Sequence, residues 1–311
     1  MPAKGRKPLA ISRISNVTFG FAEGGRSFCV RSVLRPSAQL SRLPPERISL
    51  DVASLHQGST MQRLISSGAR LLAGLTIAVL AWDALVRYLE IPPYMLPGPA
   101  RVAEAFQERW AFLLHHAGIT AYETLLGFFF GVLAGTCLAT LMWLFPIARR
   151  ALLPVILVTQ ALPVFAIAPL LVLWLGFGLT SKVVMAVLVI FFAVTSTFYD
   201  GLRRADDGLV DLARLYRVSR LRELIFFRFP AGLPALASGI RIAAVFAPIG
   251  AIIGEWVGAK GGLAFIMLQS NARMQTDVMF AALILLAMMV LTLRFSVDYL
   301  TRYLVPWQVE D

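Results

Sequence analysis

Windows of about twenty apolar residues recur along this chain, and nothing else in it limits the fold so strongly. That is the length a helix needs to cross the hydrocarbon of a bilayer at ~1.5 Å per residue. Six such windows are read: Gly68–Val86, Thr124–Phe145, Ala151–Trp174, Val183–Tyr199, Leu233–Val257 and Val278–Val297. Composition agrees. Of 311 residues, 58% are hydrophobic and 15% charged, with mean hydropathy +0.73, whereas a water-soluble domain carries about 25% charge. An ordinary soluble enzyme and a disordered chain are both excluded. The expected fold class is an all-α membrane protein with six transmembrane helices.

The net charge of +11 is unevenly placed, with nine Lys/Arg against three Asp/Glu in residues 1–60. That segment has no sustained period and too little apolar surface to offset its ordering entropy. It is expected to be a basic, disordered cytoplasmic tail, an acid-poor leader of the transit type, or the product of a misassigned start with Met61 as the true first residue. Residues 61–311 are expected to form the membrane domain. Between the first two windows, Pro92-Pro93, Pro97-Gly98-Pro99 and the polar stretch Val102–Leu114 read as surface structure. With the amino terminus inside, inner segments after the tail hold thirteen arginines and outer segments six Lys/Arg. The positive-inside bias thus predicts a multi-pass protein with both termini cytoplasmic. The excess lies in the tail and short loops, so no nucleic-acid-binding face is expected. Cys29 and Cys137 are too few for a disulfide framework or a metal quartet.

The connection from Arg204 to Arg228 is long, basic and helical in pattern. Leu209, Leu212, Ala213 and Tyr216 fall at i, i+3, i+4 and i+7; Val218, Leu221 and Ile225 resume the stripe after a break. Two short amphipathic helices of this kind need a cover, either the lipid interface or a groove on a soluble partner.

Residues 61–308 resemble the inner-membrane permease subunits of binding-protein-dependent ABC importers. The hallmark there is a cytoplasmic loop reading Glu-Ala-Ala, three residues, Gly, nine residues, Ile-x-Leu-Pro. Here Asp211-Leu212-Ala213 stands at the first position, Arg217 where the glycine belongs, then Val218-Ser219, and Phe227-Arg228-Phe229-Pro230 at the last, without a gap. Met95-Leu96-Pro97-Gly98-Pro99, Ala168-Pro169-Leu170 with Trp174-Leu175-Gly176, and Gly239-Ile240-Arg241 fit as well. Within the family the chain looks most similar to the nitrate/sulfonate/taurine group, and there to permeases for thiamine pyrimidine precursors. Phe198 to Arg204, Gly254-Glu255-Trp256-Val257-Gly258 and Gln269 to Asp277 carry that narrower match.

The resemblance implies a type I ABC importer permease (MetI-like) bundle in the bacterial inner (plasma) membrane, working as a pair, a homodimer by expectation. It implies cytoplasmic ABC ATPase subunits and a periplasmic or extracellular substrate-binding protein as partners. Asp211, Leu212, Ala213, Tyr216, Arg217, Ser219, Leu221 and Pro230 would then couple the bundle to the ATPase, with Leu212, Tyr216 and Leu221 as buried contacts and Arg220 and Arg222 at the rim. A residue other than glycine at Arg217 is expected to strain the turn or to rebuild it.

Candidate substrate-path residues come from polar or helix-breaking positions inside the spans. Pro154, Pro163 and Pro169 interrupt the third span, with Gln160 its only strongly polar side chain; a broken span suits a cavity wall, and a packed kink is the alternative. Thr195 and Tyr199 offer hydroxyls near the inner end of the fourth, against a helix-packing role. Glu255 and Trp256 sit at the outer end of the fifth, where a carboxylate beside an indole would suit a pyrimidine-like cation; a pair with Lys260 or Arg273 is the alternative. Arg241 is expected to snorkel toward the cytoplasm, and Asp83 to lie at the outer interface. An intramembrane enzyme lacks a His-Glu-x-x-His pattern or nucleophile–base pair, and a secondary transporter lacks paired half-repeats and coupling carboxylates. Neither a cofactor nor a catalytic residue is expected, and without a nucleotide-binding motif ATP hydrolysis falls to another subunit.

Overall fold

The computed structural model describes residue 70 and residues 73–305; the fold below is that of the compact unit spanning 71–311. Residues 1–60, read as a tail, lie outside the described residues, as does part of the first apolar window. What is described of that window is helix α1, residues 73–88. It is followed by α2 (Pro99–Glu108), α3 (Trp110–Leu144), α4 (Pro146–Ala161), α5 (Val164–Leu175), α6 (Leu179–Arg203), α7 (Asp207–Leu215), α8 (Arg220–Glu223), a π-helical turn (Leu224–Arg228), α9 (Phe229–Gly258), α10 (Leu263–Ala272) and α11 (Thr276–Leu304).

Among the described residues, four helices are long and apolar enough to cross a bilayer: α3, α6, the run Arg220–Gly258, and α11. The helices α4 and α5 make a fifth crossing only as a pair, bent by 105° between them. Of the three prolines in the third window, Pro163 alone breaks the helix. Leu162, before it, is extended (ψ 120), the conformation that a following proline favours, while Pro154 and Pro169 stay inside α4 and α5. The second window begins earlier than expected. Residues 110–114, read as surface, are the first turns of α3, a 35-residue helix about 52 Å long at ~1.5 Å per residue.

The core is built on α6, which packs along α3 on one side and α9 on the other. Met185, Ala186, Ile190, Val194, Phe198 and Leu202 of α6 are fully buried. In lipid no hydrophobic force draws helix to helix, so close approach of backbones supplies much of the packing energy. Small residues permit that approach. On α3, Gly127, Gly131 and Gly135 repeat at every fourth position and meet Ala186, Ile190 and Val194 of α6, also four apart. On α9, Gly250 faces Ala186 and Gly239 faces Val194 and Thr197. Ala186 is thus pinched between two glycines from different helices, and α3, α6 and α9 join there.

An ionic cluster ties α9 to α11. The half-buried Arg241 has its Nε 3.3 Å from Asp298 Oδ1 and donates to Thr301 Oγ1 at 2.9 Å, and Asp298 also pairs with Arg294. Asp83 pairs with Arg87 one turn later in α1.

Candidate functional site

The end of the bundle that holds the expected coupling loop is built from the last turn of α6 onward. Asp206 starts α7: its side-chain Oδ1 accepts the Gly208 N–H at 2.9 Å and its carbonyl accepts the Val210 N–H, satisfying amides that a helix start leaves unpaired. The helix ends in a Schellman turn. The Val218 N–H donates to the Ala213 carbonyl at 3.0 Å, and Arg217 takes the left-handed conformation with φ 51. That is the position after a helix end where glycine is favoured, because a Cβ there costs roughly 1 kcal/mol. The turn therefore keeps the glycine geometry with an arginine in it. Ser219 then begins α8, its carbonyl accepting the Glu223 N–H.

The amphipathic faces split cleanly. Val210, Ala213 and Leu224 are buried and seat the segment on the bundle. Leu212, Tyr216 and Leu221 are 44%, 74% and 56% exposed, on the face turned away. Ala213 therefore belongs to the inward face, whereas the periodicity had grouped it with Leu212 and Tyr216. Asp211, Arg217 and Ser219 are exposed around this patch. The exposed Pro230 lies in the first turn of α9, directly after the π turn, in which the Phe229 N–H donates to the carbonyl of Leu224, five residues back. A proline within a continuing helix has no N–H and crowds the carbonyl four residues earlier; the wider turn absorbs that conflict.

One residue here entered the sequence reading only as the end of the connection and between the phenylalanines of its last motif. Arg228 donates through Nε to Glu223 at 2.7 Å and through Nη1 to the Leu202 carbonyl at 2.9 Å, with its guanidinium 4.9 Å from the Trp143 ring centre. It ties α8 to the ends of α6 and α3 together. An arginine two residues before a proline carried no signal beyond its charge.

At the opposite end of α9, Glu255 is 1% exposed. Its carboxylate accepts the Thr120 hydroxyl at 2.6 Å and the Ala264 and Phe265 N–H groups at 2.7 and 3.4 Å. It therefore caps the N-terminus of α10, a site where a negative charge is favoured. Gly262, at φ 115, brings its backbone directly against that carboxylate. Thr120 also accepts the Leu263 N–H, and His116 Nδ1 accepts that of Gly262. The partners of Glu255 are thus neither Lys260 nor Arg273. Beside it lies a pair the sequence concealed. Lys182 Nζ contacts Glu123 Oε1 at 2.5 Å, with the two residues 7% and 3% exposed, and the lysine stem passes over Gly254. Lys182 had been counted among loop charges. Glu123 Oε2 and the Thr124 hydroxyl are buried with no hydrogen-bond partner among the described residues.

The remaining path candidates do not converge. Gln160 and Pro163 are exposed at the α4–α5 break, and Trp256 is 43% exposed. Thr195 is 2% exposed, and its hydroxyl donates to the carbonyl of Phe191 and also reaches that of Gly135, a helix-packing bond. Tyr199 lies beside Arg149 and Arg203 near the end of α6.

The family model described as the binding-protein-dependent transport system inner membrane component matches residues 127–309. A probable ABC transporter permease protein of Haemophilus influenzae is 44% identical over 75% of this chain and 95% of its own length. The riboflavin transport system permease protein RibX of Chloroflexus aurantiacus is 33% identical, covering 86% of this chain and 98% of its own. The formylaminopyrimidine transport permease protein ThiX of Halalkalibacterium halodurans is 30% identical, covering 73% and 91%. Among solved structures, an inward-facing MetNI methionine ABC transporter superposes with TM-score 0.55 at 21% identity, over 62% of this chain and 95% of that one, a likeness of fold.

Proposed function

The chain belongs to the family of binding-protein-dependent transport system inner membrane components, and from that premise we propose that α7, the Arg217 turn and α8 are the contact through which a separate cytoplasmic ATPase drives the bundle. The protein is a membrane-embedded ABC importer permease for a small solute and not itself an enzyme. The observation that carries the coupling reading is the two-sided segment: Val210, Ala213 and Leu224 anchored, Leu212, Tyr216 and Leu221 presented outward. Burying that apolar patch would contribute about 25 cal/mol per Å², and Arg220 and Arg222 at its rim would orient the encounter. Asp211, Ser219 and Pro230 would shape the contact. Arg228 would pass displacement to α6 and α3.

For the solute, the proposal is a small planar nitrogen heterocycle, a thiamine pyrimidine precursor first. Two of the relatives above carry names for such rings, formylaminopyrimidine and riboflavin; a taurine permease at 29% identity supports the sulfonate alternative. The path is proposed to run past the α4–α5 break at Gln160 and Pro163 and past Trp256, with Glu255 and Thr195 holding its walls. The complex is proposed as a homodimer with a binding protein outside and both termini inside the bacterial inner membrane.

In membrane vesicles with the ATPase and binding protein, labelled hydroxymethylpyrimidine is expected to accumulate, with competition from unlabelled pyrimidine and not from taurine. The variant Leu212→Asp is expected to lower that uptake more than tenfold at unchanged membrane yield. A photo-cross-linker at Tyr216 should capture the ATPase; capture of phospholipid alone would remove the coupling reading, and competition by taurine alone would remove the solute.

Arg217→Gly tests the turn. Relief of the left-handed strain should slow exchange of the Val218 amide about threefold to fivefold, the equivalent of ~0.7–1 kcal/mol, while uptake is kept. Loss of uptake with the complex intact would mean that the guanidinium itself is needed.

A further inference from the structure

Near the end of α6 that carries the coupling segment, a cavity of about 200 Å³ opens between α4 and α6. Arg149 from α4 and Arg203 from α6 lie 5.6 and 5.8 Å from the centre of the same Tyr199 ring. Among the described residues that ring is the only interaction either guanidinium makes; no carboxylate pairs with them and no carbonyl accepts from them. Two like charges on one ring repel, and a cation–π contact at such a site offsets that repulsion only weakly. A pair of guanidiniums with unused donors is the arrangement that binds phosphate. Ser196, also on the wall, has a hydroxyl without a hydrogen-bond partner among the described residues.

Most of the remaining wall is apolar. Ile156 and Phe192 line it together with Leu153 and Leu157, which are 38% and 55% exposed on α4. A water-soluble anion gains nothing from that track, whereas an acyl chain would cover it. The cations sit at helix ends, the level at which headgroups lie in a bilayer. Asp200 lines the same cavity, so its two arginines and one carboxylate leave a net charge of +1. That balances a phosphodiester, with one negative charge, better than a phosphomonoester.

We propose that this pocket binds an anionic glycerophospholipid, its phosphodiester between Arg149 and Arg203 and one acyl chain along Leu153 and Leu157. Thr195 and Tyr199, read above as path residues, also line this pocket; the inference rests on the two arginines and the apolar track, not on the identity of the solute or on the coupling contact.

The test uses the purified transporter with its ATPase, in detergent, with phosphatidylglycerol, phosphatidylcholine, glycerol 3-phosphate or inorganic phosphate added. Phosphatidylglycerol is expected to raise the melting temperature by several degrees and phosphatidylcholine by less than a third of that. The double variant Arg149→Gln/Arg203→Gln should lose at least half the shift and co-purify with about threefold less phosphatidylglycerol. Leu157→Trp, which fills the apolar track and leaves the charges, should lower lipid retention similarly, and it serves if the double variant does not fold. Equal shifts with both lipids, full shifts in the variants, or the same protection from glycerol 3-phosphate or inorganic phosphate would each overturn the proposal; the last would assign the pocket to a soluble anion.

Discussion

Replacing Lys182 with methionine is expected to remove about 3–5 kcal/mol of stability, the cost of leaving a buried carboxylate without its counter-ion. Glu123 is 3% exposed, its Oε2 has no donor among the described residues, and Glu255 is its neighbour. Without Lys182, two acids would face each other inside the bundle, where an unpaired charge is costly by any scale. The same reasoning makes the double change Lys182→Met/Glu123→Leu much milder, because a shape-filling apolar pair removes both the attraction and the desolvation cost. Thermal unfolding of the detergent-solubilised protein checks both. A double variant as unstable as Lys182→Met alone would show that the loss does not come from leaving the Glu123 carboxylate without its counter-ion.

The second large effect is expected at Gly250. A Cβ there would fall against the backbone of Ala186, 2.8 Å from its nitrogen and closer still to its Cα. Backbone cannot rotate aside as a side chain can, so α9 must move off α6 and open the seam that Ala186 shares with Gly127 of α3. Overpacking of a core costs about 1–3 kcal/mol when side chains can adjust, and Gly250→Val is expected to exceed that, leaving less than a tenth of the wild-type yield of monodisperse protein in size-exclusion chromatography. Gly118→Ala, in an open position on α3, is the control: it should be neutral or stabilising by roughly 0.5–1 kcal/mol. Equal yields from the two variants would mean that the α6–α9 seam is looser than described.

Both sites explain how far the chain could be read before folding. Apolar length found the cores of α3, α6, α9 and α11, since a helix is the structure that satisfies backbone groups in hydrocarbon. Motif spacing put the glycine position at Arg217, where the backbone is left-handed. The start of α3 was missed because His115, His116 and Glu123 make it look like a loop, and Lys182 was counted as a loop charge for the same reason. Here the charges lie inside the bundle because their partner is elsewhere in the chain. Glu123 and Lys182 are 59 residues apart, and one-dimensional hydropathy carries no such pairing. The Gly127, Gly131, Gly135 repeat was visible and is the signal that would have located the α3–α6 seam. The role of Glu255 as the cap of α10 could not be foreseen, because it depends on the corner at Gly262 turning a later helix back onto it.

The helical run from Arg220 to Gly258, 39 residues with the π turn inside it, is about 58 Å long at ~1.5 Å per residue. In the proposed coupling it would act as a connecting rod with one crank at Leu221 and the other at Glu255. Work done at the ATPase end would then reach the far end of the bundle directly, so the two ends would keep time without a second linkage.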